Sequence, residues 1–177
     1  MGEKPRRRLV VVHEDMHMST HIISLLVENR HGALSRIANL FSSRGYNITS
    51  LNVAETDDES VSRMTIVVAG DEDVLEQVAK QLNKLIDVIK VIDFVGESVI
   101  DRELVLVRVD VSRSNRHEVV ELADIFGGKI AAVAASSVTI ELTNTSQMID
   151  DFIALIKPYG IKETVRTGKV ALGRKSG

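Results

Sequence analysis

An α+β fold built from two similar βαββαβ units is the architecture this sequence predicts, and three observations predict it. Hydrophobic period switches repeatedly between two and about 3.6 residues along the chain. The same order of elements occurs in each half. A length of 177 residues with 44% hydrophobic content can bury a core in one domain or in two small ones.

The elements follow in order. His21 to Glu28 reads as a strand, with Ile23, Leu25 and Val27 on one face and Ser24, Leu26 and Glu28 on the other. Asn29-Arg30-His31-Gly32 breaks that strand. Leu34, Ile37, Ala38 and Phe41 then recur at i, i+3, i+4 and i+7, which makes an apolar helical stripe ending near Gly45. Ile48 to Glu55 and Ser62 to Ala69 are extended runs, and the polar Thr56-Asp57-Asp58-Glu59 between them makes the pair a hairpin. Asp71 opens a second helix with Leu75, Val78, Leu82 and Leu85 inward, and Val88 to Val95 supplies the last strand of the unit.

The second half repeats the pattern. Leu104 to Val111 is a strand, His117 to Phe126 a helix, Ile130 to Ala135 and Val138 to Thr143 a strand pair, Gln147 to Lys157 a helix, and Ile161 to Leu172 a terminal extended region. Ile37-Ala38-Asn39-Leu40-Phe41 lines up with Leu122-Ala123-Asp124-Ile125-Phe126. Each half is thus a split-βαβ, ferredoxin-like unit with two helices on one face of an antiparallel sheet. The expected division is a flexible extension over residues 1–19, a first domain over 20–96 and a second over 97–177, with the boundary at Gly96 to Asp101. Units of this size leave a sheet face and strand edges needing cover, within the chain or from another copy.

Composition narrows the chemistry. With no cysteine, disulfide frameworks, Cys-ligated zinc, iron–sulfur clusters and thiol nucleophiles are excluded, and a cytoplasmic address fits. No apolar stretch reaches the roughly 20 residues of a membrane span, and the basic start at Lys4, Arg6, Arg7 and Arg8 precedes only Leu9-Val10-Val11-Val12, which reads against a signal peptide. Met16 and Met18 leave the start codon open.

The residues that point to a ligand lie between the first strand and the first helix. Gly32 allows close backbone approach, and the turn from Ala33 to Arg36 presents amides without intrahelical partners, so the loop can receive a small anion such as the carboxylate of a free amino acid. Taken alone, Gly32 reads first as a turn glycine and Asn29 as a loop asparagine capping its own backbone. Asn47, where the next strand begins, adds to the ligand reading. Carried backward, the helix match sets Ser114 opposite Asn29 and His117 opposite Gly32, so the second half lacks both the amide and the glycine.

Leu26-Val27-Glu28-Asn29-Arg30-His31-Gly32-Ala33-Leu34-Ser35-Arg36, then Phe41, Arg44-Gly45-Tyr46-Asn47-Ile48 and Ser62-Arg63-Met64-Thr65-Ile66, resemble the small regulatory subunit of acetolactate synthase (acetohydroxyacid synthase). Gln81 to Val88 and Arg102-Glu103-Leu104 extend the resemblance over about residues 20–173. The resemblance implies an ACT domain in the first half and a homodimer formed through it. It also implies a branched-chain amino-acid effector, chiefly valine, between the two copies. Asn29, Gly32 and Ala33 would receive the carboxylate, while Asn47 and Ile48 of the other copy would contact the amino end and side chain. It implies a catalytic large-subunit partner that this chain activates and renders sensitive to feedback inhibition. Thiamine diphosphate, FAD and Mg would belong to that partner, and this chain would hold no cofactor and no catalytic residue. Residues before Thr20 depart from the compact start of bacterial members.

Other functions fare worse on the residues. His31 is a solvated loop histidine, and His13, His17 and His21 would make a metal face only if their segment were helical. No GxxxxGK[ST], GxSxG or HExxH pattern occurs. RNA-binding modules share the βαββαβ order but stack bases on strand aromatics, whereas the third strand here has none, aromatics are 3% and the net charge is −3. Neither nucleic acid nor membrane is an expected partner. A stand-alone ACT-type amino-acid sensor is the alternative that the loop alone does not separate.

Overall fold

The computed structural model describes residues 20–70, 72–94 and 96–174. The expected extension with His13 and His17, the helix start at Asp71, the strand end at Val95 and the side chain of Leu75 lie outside the described residues.

The first unit comprises β1 (Thr20–Glu28), α1 (Ala33–Ser43), β2 (Ile48–Glu55), β3 (Val61–Ala69), α2 (Glu72–Leu82) and β4 (Val88–Asp93). Its sheet has the antiparallel order β2-β3-β1-β4. The alternation in β1 buries Ile23, Leu25 and Val27 completely beneath the helices, against Phe41, Ile66 and Leu82. The apolar stripe of α1 is rotated from its expected position. Ala33, Ile37 and Phe41 are buried, whereas Leu34 is 44% exposed. The helix that starts at the left-handed Gly32 turn buries the small Ala33 and turns Leu34 out.

The second unit repeats the topology with β5 (Val99–Asp110), α3 (Arg116–Ile125), β6 (Lys129–Val133), β7 (Ser137–Asn144), α4 (Ser146–Ile156) and β8 (Ile161–Arg166) in the order β6-β7-β5-β8. Its core has Val105, Val107 and Val109 under Val119, Ala123 and Phe152. Phe126 and Phe152 pack as tilted rings with centroids 5.4 Å apart. Burial aligns Ala33 and Ile37 with Val119 and Ala123, one residue away from the match read in the sequence.

Strand formation begins earlier in the second half than the sequence indicates. Val99 to Arg102, of which all but Arg102 fall inside the expected boundary, pairs with β9 (Val170–Gly173) before the rest of β5 joins β7 and β8. This ribbon meets the outer face of the first sheet: Ala171, Ser24 and Thr65 are buried, and Gly173 packs on Phe94. Leu26 and Arg63 share a cavity of about 620 Å³ with Leu172 and Arg174. The outer face of the first sheet is thus covered from within the chain. Among the described residues, no helix is long and apolar enough to cross a membrane.

Candidate functional site

The turn after β1 is pinned from both sides. Glu28 N–H donates to the Asp87 carbonyl at 2.8 Å, and Asn29 N–H donates to the Ser60 carbonyl at 2.7 Å. Asn29 Nδ2 donates to Glu55 Oε1 and to the Glu59 carbonyl, each at 2.9 Å. Both amide hydrogens of Asn29 therefore serve the β2–β3 hairpin of its own chain.

Gly32 caps α1 with φ of 86°, in the left-handed region that glycine enters without strain. Its carbonyl accepts from Arg36 N–H at 3.0 Å, and Ala33 N–H reaches the Arg30 carbonyl at 3.2 Å. No side chain caps the helix. Among the described residues, the Leu34 and Ser35 amides have no main-chain partner and remain open donors at the positive end of an eleven-residue helix.

Arg36 lies one turn further along, and a Cβ added at Gly32 would stand 3.0 Å from its Nη1. Its guanidinium grips Asp87 at two points, Nε to Oδ2 and Nη2 to Oδ1, the latter at 2.8 Å. The Asp87 side chain is buried. Hydrogen bonding from Arg36 outweighs desolvation and holds this carboxyl below its ordinary value. Arg36 was legible as the i+4 neighbour of Gly32, but Asp87 is 51 residues away and carried no local signal. Glu55, as the partner of Asn29, was likewise missed. His31 is exposed on the loop.

Asn47 and Ile48 stand elsewhere. Asn47 is exposed, its carbonyl accepting from Ala69 N–H at 3.4 Å, and Ile48 rests half-buried on the first core. In register, Ile48 faces Val68, which faces His21 at the start of β1. Asn29 follows the other end of β1, so Ile48 and Asn29 are separated along the sheet by about 27 Å, eight residue steps from His21 to Asn29 at ~3.4 Å each. Within one chain, Asn29, Gly32 and Ala33 come together, and Asn47 and Ile48 do not join them.

The second unit has no equivalent loop. Asn115 caps α3 with φ of −107°, and its Oδ1 accepts from Ser112 N–H at 2.6 Å and Ser112 Oγ at 3.0 Å. Helix starts pair Gly32 with Asn115 and burial pairs it with Glu118, so neither sets it opposite His117 as the sequence match had it. No group of three or more His, Cys, Asp or Glu side chains is placed to hold a metal among the described residues.

Comparison with known proteins decides the family. The family described as "AHAS small subunit-like ACT domain" matches residues 23–90, and "Small subunit of acetolactate synthase" matches residues 102–175. A protein of Methanothermobacter thermautotrophicus, "Probable acetolactate synthase small subunit", is 47% identical over 163 residues, covering 92% of this chain and 97% of that one. The chain belongs to the acetolactate synthase small-subunit family. The Escherichia coli "Acetolactate synthase isozyme 3 small subunit" is 48% identical over 154 residues, covering 86% of this chain and 94% of that protein. The crystal structure of the acetolactate synthase small subunit from Thermotoga maritima superimposes with a TM-score of 0.83 at 35% identity, over 90% of this chain and 99% of that one. In this family's terms the loop at Asn29 to Ala33 belongs to the ACT domain, and the α+β architecture of two ferredoxin-like units is that of the small subunit.

Proposed function

We propose that this chain is the non-catalytic regulatory subunit of a cytoplasmic acetolactate synthase. It forms a homodimer through its ACT domain, docks on and activates a thiamine-diphosphate-dependent catalytic subunit, and imposes feedback inhibition when valine, or leucine or isoleucine, binds between the two copies. Thiamine diphosphate, FAD and Mg fall to the catalytic partner.

The observation that carries this reading is the separation of the two half-sites together with the position of β2. Among the described residues β2 pairs only with β3, so its outer edge has no strand partner. Antiparallel pairing of two such edges would set the Ile48 end of one copy against the Glu55 end of the other. Glu55 already holds Asn29 at 2.9 Å, so Asn47 and Ile48 of the second copy would complete the loop of the first. A zwitterionic amino acid needs donors, acceptors and an apolar wall. The Leu34 and Ser35 amides over Gly32 and Ala33 supply donors, Asn29 adds one by exchanging its bond to Glu55, and Asn47 and Ile48 supply the rest. Ligand binding that favours one paired arrangement then shifts the population, and a coupling of about 1–3 kcal/mol suffices for regulation.

The test is acetolactate formation by the cognate catalytic subunit, alone and with this chain, each with and without millimolar valine. A higher rate that becomes valine-sensitive supports the reading. No effect from a folded dimer would leave the chain as a stand-alone amino-acid sensor.

A further inference from the structure

The two domains touch at Ser50, and the contact lies two residues from Ile48. Ser50 Oγ accepts from Lys169 N–H at 3.1 Å, across 119 residues of chain. Gly168 has φ of 76°, and a Cβ there would stand only 2.0 Å from Ser50 Oγ, so the backbone of the second domain lies directly against this hydroxyl.

Both sides of the contact are built to carry displacement. On the first domain, a β-bulge separates Ile48 from Ser50: Ile48 faces Val68 while Ser50 faces Val67. In a regular strand Ile48 and Ser50 would share a face; the bulge turns Ile48 to the core and Ser50 to the second domain. Thr49 Oγ1 pins it by donating to the Val67 carbonyl at 3.0 Å. On the second domain, the turn from Thr167 to Lys169 is bolted to β5. Thr167 N–H donates to the Leu104 carbonyl at 3.0 Å, Leu104 N–H donates to Thr167 Oγ1 at 3.1 Å, and Lys169 Nζ pairs with Asp101 at 3.3 Å. A shift of Ser50 therefore reaches the central strand of the second sheet with little loop to absorb it. A cavity of about 740 Å³ beside the contact, lined by Thr49, Ser50, Arg166 and Lys169, leaves room for that movement.

We propose that Ser50 is a positioning residue whose contact with Gly168 and Lys169 transmits effector occupancy at Asn47 and Ile48 to the second domain. The proposal rests on the effector reading above and adds the route by which it is felt.

The experiment uses full-length Ser50→Ala, with and without the catalytic subunit. Calorimetry reads valine binding, acetolactate formation reads inhibition, and amide hydrogen exchange reads Lys169. The expected result is a valine Kd within about twofold of wild type, while the fractional inhibition at saturating valine falls to about half or less and the valine-dependent change in Lys169 exchange is lost. A structural tie alone would lower thermal stability and leave inhibition at saturating valine unchanged, and that result overturns the proposal. So does a wild-type chain that binds valine without any change at Lys169. Absence of binding heat in the wild type overturns the effector reading itself and the proposal with it, and calorimetry separates this failure from the other two.

Discussion

Glu103 and Arg166 meet as a two-point ion pair at the edge of the second domain that faces the first. Nε reaches Oε1 at 2.7 Å and Nη2 reaches Oε2 at 2.9 Å. Ser146 Oγ donates to the same carboxylate at 2.7 Å, and Arg166 Nη1 reaches Asp150 at 2.7 Å. Glu103 is 5% exposed, so its charge stays inside the protein only because Arg166 and Ser146 satisfy it.

Hydrogen bonds from Arg166 outweigh burial and hold the Glu103 carboxyl below its ordinary value, which fixes a pH dependence. A depressed folded pKa contributes stability that is complete above the unfolded value, about 4.3, and is lost as pH falls through the folded value. Glu103→Gln should therefore lower stability near pH 7 by about 1–3 kcal/mol. The gap should close in acid, where the wild-type carboxyl protonates too. Urea titrations at neutral and acid pH measure both curves, and a gap that stays constant with pH would remove Glu103 from the acid response.

Gly32→Asp and Gly32→Asn form a matched pair. Asp and Asn tolerate the left-handed backbone better than other non-glycine residues, and the Arg36 atom nearest the new Cβ is Nη1, not the Nε or Nη2 that hold Asp87. Their difference is charge. The aspartate carboxylate competes for the open amides and repels the effector's own, so valine affinity should fall by about tenfold or more in the aspartate variant relative to the asparagine one. Equal affinities by calorimetry would move the carboxylate away from the start of α1.

Asn29→Ala removes the two bonds to the β2–β3 hairpin and leaves the first core untouched. Stability should drop by about 1 kcal/mol. Inhibition of the reconstituted enzyme should require more valine, while activation without valine persists. A valine dose response equal to wild type would limit Asn29 to holding the hairpin.

How much of this was legible depends on whether the signal was local. The strand from Ile48 to Glu55 has the predicted bounds, because β-branched and polar residues alternate between clear turns. Leu34 was placed inward because Ala33, Leu34, Ile37 and Phe41 form a stripe wide enough to be centred on either side, and packing chose the alanine. Val99 to Arg102 did not read as strand because Asp101, Arg102 and Glu103 interrupt the apolar period. Their partners, Lys169 and Arg166, come from more than sixty residues away. For the candidate site, Gly32 and Asn29 were visible as a turn, whereas Asp87, Glu55 and Gly168 act through contacts that no spacing rule reveals.

Complementation between damaged chains tests whether the effector site is shared. If each site takes Asn29 from one copy and Asn47 from the other, a mixed dimer of Asn29→Ala and Asn47→Ala chains carries one site with both lesions and one with neither. Each variant alone has only damaged sites. Refolding the two together at equal ratio makes half the dimers mixed, so about a quarter of all sites are intact by statistics alone. Titration should then find wild-type affinity at about a quarter of the wild-type stoichiometry. A site contained in one chain gives the opposite result, because every site in every dimer would carry one lesion and mixing would restore nothing. The roughly 30 Å that separates Asn29 from Asn47 along one sheet, nine residue steps, favours restoration, since no free amino acid spans that length.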